Sequence, residues 1–267
     1  MGLKLPSCVA PDLALYVARA KEMPLVRGPI MWCRSLGRHP ERAGDRLISV
    51  MYHRLPAGAR RSFERQLDYM RSVGDFVSAT QAVELLKSGD PMGGRYFCVT
   101  FDDGELDAYQ NALPILTERG IPSVSFVVPF WTAAATRDED AVDRRYVSWN
   151  ECRHMAGNGV EIGSHSLSHR RIATLAHGPA QDEIIQSKLR VERELARLCV
   201  HFACPWGQPG GDYLPGRDPL TAAAAGYQSF FTTIRGAAMP GASRWAIPRI
   251  RLEPDWGLAQ LRYQFSR

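Results

Sequence analysis

Long apolar stretches are missing from this sequence. Between residues 12 and 36 the apolar runs are cut by Arg19, Lys21, Glu22, Pro24, Arg27 and Pro29. No segment there approaches the ~18 consecutive apolar residues that a membrane-spanning helix needs. The amino-terminal segment also lacks the charge, apolar core and small-residue pattern of a cleaved export signal. The six cysteines (Cys8, Cys33, Cys98, Cys152, Cys199 and Cys204) form no CxxC pair and no regular ladder, which favours reduced, buried thiols over a disulfide framework. Basic residues exceed acidic ones, giving a net charge of +5, but they are spread among acids rather than gathered into a stripe with interleaved aromatics. Nucleic acid is therefore not an expected partner, whereas a mildly basic surface tolerates anionic lipids or glycans. There is no internal repeat, and no low-complexity tract beyond the run Ala222 to Ala225. These absences point to a cytoplasmic chain whose Leu-, Trp- and Arg-containing leader offers a peripheral membrane contact.

What is present is alternation. With 267 residues and 45% hydrophobic residues, the chain can bury a full core. Residues 1–45 read as a leader, a short helix after Pro11 followed by a Pro/Gly/Arg-rich connector. Residues 46–267 read as one domain. Strand-like runs (RLISVMYH, DFVSAT, RYFCVTF, PSVSFVVPF, VEIGSHS, HFACP, SFFTTI, IPRIRL) alternate with helical patterns (SFERQLDYMRSVG, QAVELLKSG, AYQNALPILTERG, SWNECRHMAGNG, DEIIQSKLRVERELARL, DPLTAAAAGY), and residues 132–146 read as an irregular charged loop. Short Val/Ile/Phe-rich runs separated by helices predict an α/β fold with a parallel sheet. With seven or eight such units, closure into a barrel is as natural as an open sheet, and barrels place working residues at the carboxyl ends of their strands.

Those ends carry the chemistry. RLISVMYH ends in His53, VTFDDG in Asp102 and Asp103, VEIGSHSLSH in His165 and His169, and HFACPWG in Pro205 and Trp206. Two adjacent carboxylates after a buried strand repel each other unless a cation or proton relieves them. Two histidines and one carboxylate make a three-ligand set that leaves positions open, the arrangement of a catalytic zinc site. One acid would then ligate and the other stay free as a base. Taken singly, each feature has an ordinary explanation: histidines four apart are common on surfaces and in cores, His53 could be a satisfied core residue, and Asp-Asp-Gly is usually a turn. Their joint placement on one rim is what carries weight.

These residues resemble the NodB-homology polysaccharide deacetylases, carbohydrate esterase family 4. TFDDG stands intact as Thr100 to Gly104, and H-S/T-x-x-H as His165 to His169. The third motif, normally R-P-P-Y/W-G, reads Ala203-Cys204-Pro205-Trp206-Gly207. VMYHRL and IPRIRL are similar to segments of the subgroup that acts on poly-N-acetylglucosamine and related bacterial surface glycans. The likeness spans roughly residues 46 to 252. It implies a distorted (β/α)7-type barrel and metal-dependent removal of an N-acetyl group. It also implies a divalent cation, zinc first, on Asp103, His165 and His169, with Asp102 as general base and His53 as general acid. The Trp206 N–H would help bind the oxyanion, while Pro205 and the Trp206 indole would contact the sugar. The missing third-motif arginine leaves Asp102 without its usual brace, and Arg249 is nominated to replace it.

Three functions follow from this reading. The first is an N-deacetylase acting on N-acetylhexosamine units of a polysaccharide or its lipid-linked oligosaccharide precursor. The second is an O-acetyl esterase acting on a glycan. The third is a glycan-binding relic without turnover, against which the intact Asp102 and His53 speak.

Overall fold

The computed structural model describes residues 44–141 and 143–265; the expected leader helix lies outside them. Eight strands form one parallel sheet: β1 (Arg46–Tyr52), β2 (Asp75–Phe76), β3 (Arg95–Phe101), β4 (Ser123–Val127), β5 (Val160–Ser164), β6 (His201–Ala203), β7 (Ser229–Phe231) and β8 (Arg249–Arg251). The order is β7-β6-β5-β4-β3-β1-β8, with β2 also paired to β3. Between the two ends, Ile247 bridges Phe231: Thr232 N–H donates to Ile247 O and Ile247 N–H to Phe230 O, each at 2.9 Å. The result is the nearly closed (β/α)7-type barrel expected of a single domain.

Period-2 alternation sorts the strand residues into two faces. Ile48, Val50, Tyr52, Phe97, Val99 and Phe101 point outward and pack with Phe63, Leu67 and Met70 of α1 (Arg60–Val73). Cys98, Val124, Phe126, Ala203 and Phe231 form a separate cluster with α2 (Ala79–Ser88). Burial on both faces explains why the strands read as continuous apolar runs. At Gly163 a Cβ would lie 2.5 Å from Phe126 Cδ1 and 2.9 Å from His201 O, so only glycine lets β5 approach here.

The same alternation stacks polar layers at both ends of the barrel. At the amino ends of the strands, His201 Nδ1 is 2.8 Å from Ser229 Oγ, and its Nε2 is 3.1 Å from Thr80 Oγ1. Glu161 accepts the Ala79 and Thr80 N–H groups at 2.6 and 3.1 Å, placing a carboxylate at the amino end of α2 where the helix dipole favours it. Burial pushes the Glu161 carboxyl up, but the His201 contact and these hydrogen bonds outweigh it and hold it below the usual range. This hydrogen-bonded layer occupies the amino ends of the strands, whereas barrels place their working residues at the opposite, carboxyl ends.

Three expectations need correction. The strand in DFVSAT stops at Phe76, because Ser78 leaves the sheet to cap α2 in a capping box with Gln81. The supposed irregular loop begins instead with α4 (Pro129–Arg137), started by proline at its first turn; α3 (Leu106–Glu118) precedes it and α5 (Trp149–Gly157) follows. After α6 (His177–Leu195) and α7 (Asp218–Ala224), the chain closes on an unforeseen helix, α8 (Leu258–Phe265). Its Leu261 and Phe265 are fully buried against the α1 side, worth roughly 1.5–3 kcal/mol each. Cys98, Cys152, Cys199 and Cys204 are buried free thiols, as anticipated; Cys8 and Cys33 lie outside the described residues.

Candidate active site

Cys98, Thr100 and then Asp102 alternate toward the barrel axis, so Asp102 continues the inward face of β3. Its N–H still donates to Tyr52 O at 2.9 Å. Asp103 then takes φ 70° and Gly104 φ 69°, swinging the chain out of the strand. This turn answers the crowding problem, because the two carboxylates diverge into different surroundings.

Asp102 faces Arg249, the first residue of β8. The guanidinium is fully buried and bidentate, with Nη1 2.6 Å from Oδ1 and Nη2 2.7 Å from Oδ2. Its remaining donors reach Thr100 Oγ1 (3.2 Å) on β3 and Thr232 O (2.9 Å) just past β7, which fixes its orientation. Burial alone would raise the Asp102 carboxyl, but the charge and hydrogen bonds of Arg249, with His165 and His53, hold it below the ordinary carboxylate range. Asp102 is thus kept ionised inside the protein. Arg249, nominated from the sequence, lies against Asp102 as its buried counter-charge.

Asp103 faces the two histidines. Its Oδ1 lies 3.3 Å from His169 Nε2 and 3.6 Å from His165 Nε2, and it is buried without a hydrogen-bond partner. Burial raises this carboxyl; His169, His165 and His53 together pull it down to about 2. His165 Nδ1 sits 2.8 Å from Ala203 O. A carbonyl only accepts, so Nδ1 carries the proton and Nε2 presents a lone pair to the acids. Burial lowers the His165 pKa to about 4 against the pull of both aspartates, so the ring is neutral near pH 7.

One atom each from Asp103, His165 and His169 lie mutually within 4.8 Å. Bonds of ~2.0–2.1 Å at tetrahedral angles separate ligand atoms by about 3.3 Å, close to the 3.3 and 3.6 Å between Asp103 Oδ1 and the two imidazoles. An orphaned buried carboxylate oxygen beside the Nε2 atoms of two imidazoles fits a divalent cation.

The backbone is strained where these groups sit. Asp103, Ser166, His169 and Trp206 adopt positive φ (70°, 61°, 61° and 55°), and among the described non-glycine residues only Ala196, ending α6, joins them. Glu183 of α6 holds the HSLSH segment in place: its carboxylate accepts the Ser168 N–H at 2.9 Å and the Ser168 hydroxyl at 2.5 Å. Ser166 Oγ accepts the His169 N–H at 3.0 Å.

His53 follows β1 directly, and because Tyr52 registers with Phe101, His53 and Asp102 leave neighbouring strands side by side. His53, both aspartates, both histidines and Trp206 line one open cavity of about 940 Å³. Trp206 is exposed, with its ring centroid 4.4 Å from that of His169, and its backbone N–H makes no hydrogen bond to another described residue. Pro205 corrects an expectation: it is buried and does not line the cavity, because the left-handed turn at Trp206 carries only the indole outward. Cys204 is likewise buried, in the outer core with Phe202 and Tyr213.

Sequence reading missed several residues. Glu183 sits in an ordinary amphipathic helix with no signal. Trp131 lay between the expected strand PSVSFVVPF and the loop read over residues 132–146, yet its ring stacks on Tyr146 at 4.5 Å and lies 4.8 Å from His169. Arg145 binds Glu105 at the cavity wall.

Fold and site together define a parallel barrel with a candidate metal centre at its carboxyl rim. The chain belongs to the polysaccharide deacetylase family, whose sequence profile, described as "Polysaccharide deacetylase", matches residues 89–227. Among curated relatives, it is 24% identical over 215 residues to YxkH of Bacillus subtilis (strain 168), covering 78% of this chain and 72% of that protein, whose name gives polysaccharide deacetylase only as an inferred activity. It is 22% identical over 203 residues to the poly-β-1,6-N-acetyl-D-glucosamine N-deacetylase of Staphylococcus aureus (strain MSSA476), covering 72% and 67%. Among solved structures, IcaB from Ammonifex degensii shares the fold with a TM-score of 0.68 and 24% identity, covering 84% of this chain and 98% of that one. The Streptococcus pyogenes deacetylase PplD also gives 0.68, at 20% identity and 82% and 97% coverage.

Proposed function

We propose that this chain hydrolyses the N-acetyl group of N-acetylhexosamine units in a bacterial glycan, releasing acetate, with a divalent cation, zinc first, held by Asp103, His165 and His169. The observation that carries the reading is the separation of the two adjacent aspartates. One offers an unpartnered oxygen beside two imidazoles, and the other is held ionised by a buried arginine.

An amide resists hydrolysis because its carbonyl is a poor electrophile and its nitrogen a poor leaving group. A divalent ion in this position supplies positive charge that polarises the carbonyl and acidifies water. Asp102, ionised and oriented, accepts the proton of the attacking water. The Trp206 N–H, which makes no hydrogen bond to another described residue, donates to the oxyanion, and such donors are worth about 3 kcal/mol. His53, on the neighbouring strand, protonates the departing amine. The Trp206 indole forms one wall of the sugar groove and offers an apolar face to the ring.

The test is acetate release from N-acetylglucosamine oligomers. Release is expected from metal-replete protein, and is expected to fall to background after chelation and return on adding zinc. Turnover that survives complete metal removal would defeat the proposal.

A further inference from the structure

Several walls of the active-site cavity are built from guanidinium groups that are each fixed from behind by a more buried acid. Arg54 Nε is 2.9 Å from Asp107, with the side chains 63% and 17% exposed. Arg145 grips Glu105 at 2.6 Å, with exposures of 60% and 2%. Arg251 pairs with Glu253 at 2.9 Å, with exposures of 63% and 38%. Arg171 follows the same plan beside Trp206: it pairs with Asp212 at 2.7 Å (52% and 5%), and its guanidinium carbon lies 4.7 Å from the indole centroid.

Exposed ion pairs contribute little to stability, so folding alone does not explain four of them around one opening. The order within each pair is informative. In each pair the acid is the less exposed partner, so it acts as a pin that orders the arginine; Glu105 and Glu253 border the cavity with their arginines, and the more exposed guanidinium of each pair is the partner a solute meets first. Arg54, Arg145 and Arg251 all line that cavity. A neutral glycan presents hydroxyls, which amide or hydroxyl side chains satisfy equally well. Ordered guanidinium forks suit carboxylate and phosphate oxygens, which they can grip with two parallel hydrogen bonds.

We infer that the glycan accepted here carries an anionic group, a carboxylate or a phosphodiester, close to the N-acetylated sugar, and that Arg54, Arg145 and Arg251 select it. The inference deepens the deacetylase reading and rests on it for the identity of the site.

The test is titration calorimetry on the zinc-loaded protein with three probes. These are a neutral N-acetylglucosamine tetramer, a tetrasaccharide alternating glucuronate with N-acetylglucosamine, and N-acetylglucosamine joined to glycerol through a phosphodiester. At least one acidic probe is expected to bind about tenfold tighter than the neutral tetramer. The gap is expected to close between about 0.05 M and about 0.5 M salt as screening shortens the reach of the charges. Arg54→Gln and Arg251→Gln are each expected to cut the acidic-to-neutral ratio by roughly three- to tenfold, with lysine restoring part of it. The acidic probe that responds more to these substitutions identifies the anion. Equal or tighter binding of the neutral tetramer, or a ratio unmoved by the arginine variants, overturns the inference. Acetate release is scored separately: if no probe is turned over, the deacetylase reading fails, while the binding ratios still decide the anion preference.

Discussion

Replacing Arg249 by methionine is expected to destabilise the protein by about 3–5 kcal/mol and to remove nearly all turnover. Methionine roughly keeps the volume but leaves Asp102 as a buried carboxylate with no counter-charge. The carboxyl that Arg249 holds down then moves up and takes a proton, because a neutral acid is the cheaper buried form. A protonated Asp102 accepts nothing from water, so a loss of about 10²- to 10⁴-fold in kcat is expected from the missing base alone. Denaturant titration reads the first effect and acetate release the second. The control is a thermodynamic cycle. Asp102→Asn in the wild type strands the arginine charge and is costly, whereas in the Arg249→Met background it has little charge left to strand and costs much less. Single variants within about 1 kcal/mol of wild type, or strictly additive effects, would show that the pair is not the coupled unit its geometry describes.

His53→Ala is expected to separate amide from ester chemistry. An amine leaves only if it is protonated, whereas an alcohol leaves from an acetyl ester with much less help. Loss of the acid is therefore expected to lower N-acetyl hydrolysis by about 10²- to 10⁴-fold and to lower hydrolysis of an activated acetyl ester far less. Parallel kcat/KM measurements on both substrates decide it. Equal losses would mean that His53 binds or positions rather than protonates. An enzyme that prefers the ester before any substitution would favour the O-acetyl esterase alternative.

The strands and the rim were legible because they rest on local rules: apolar runs of four to seven residues, helices between them, and polar side chains where each run ends. Asp102, Asp103, His165, His169 and His53 all lie within a residue or a short turn of a strand end, so sequence position was a good proxy for place. The residues that escaped are those whose role depends on what other elements bring near. Glu183 is one helical acid among several until the HSLSH segment folds onto it, and Trp131 joins His169 only because Pro129 turns an apparent strand end into a helix start. Pro205 failed in the opposite direction, since sequence adjacency to Trp206 says nothing about the φ that turns one outward and leaves the other buried. Arg249 stood between these extremes. The alanine at 203 signalled that a brace had to come from elsewhere, but only closure of the barrel through β8 shows how a residue 147 positions away reaches Asp102.

The most direct measurement is metal stoichiometry and affinity in solution, on the wild type and on Asp103→Asn and His165→Ala proteins that remain folded by circular dichroism. One divalent ion per chain, bound at least about 10²-fold more weakly when either donor is lost, is the predicted result. Absence of stoichiometric binding, or an affinity indifferent to both substitutions, would contradict the account at its centre.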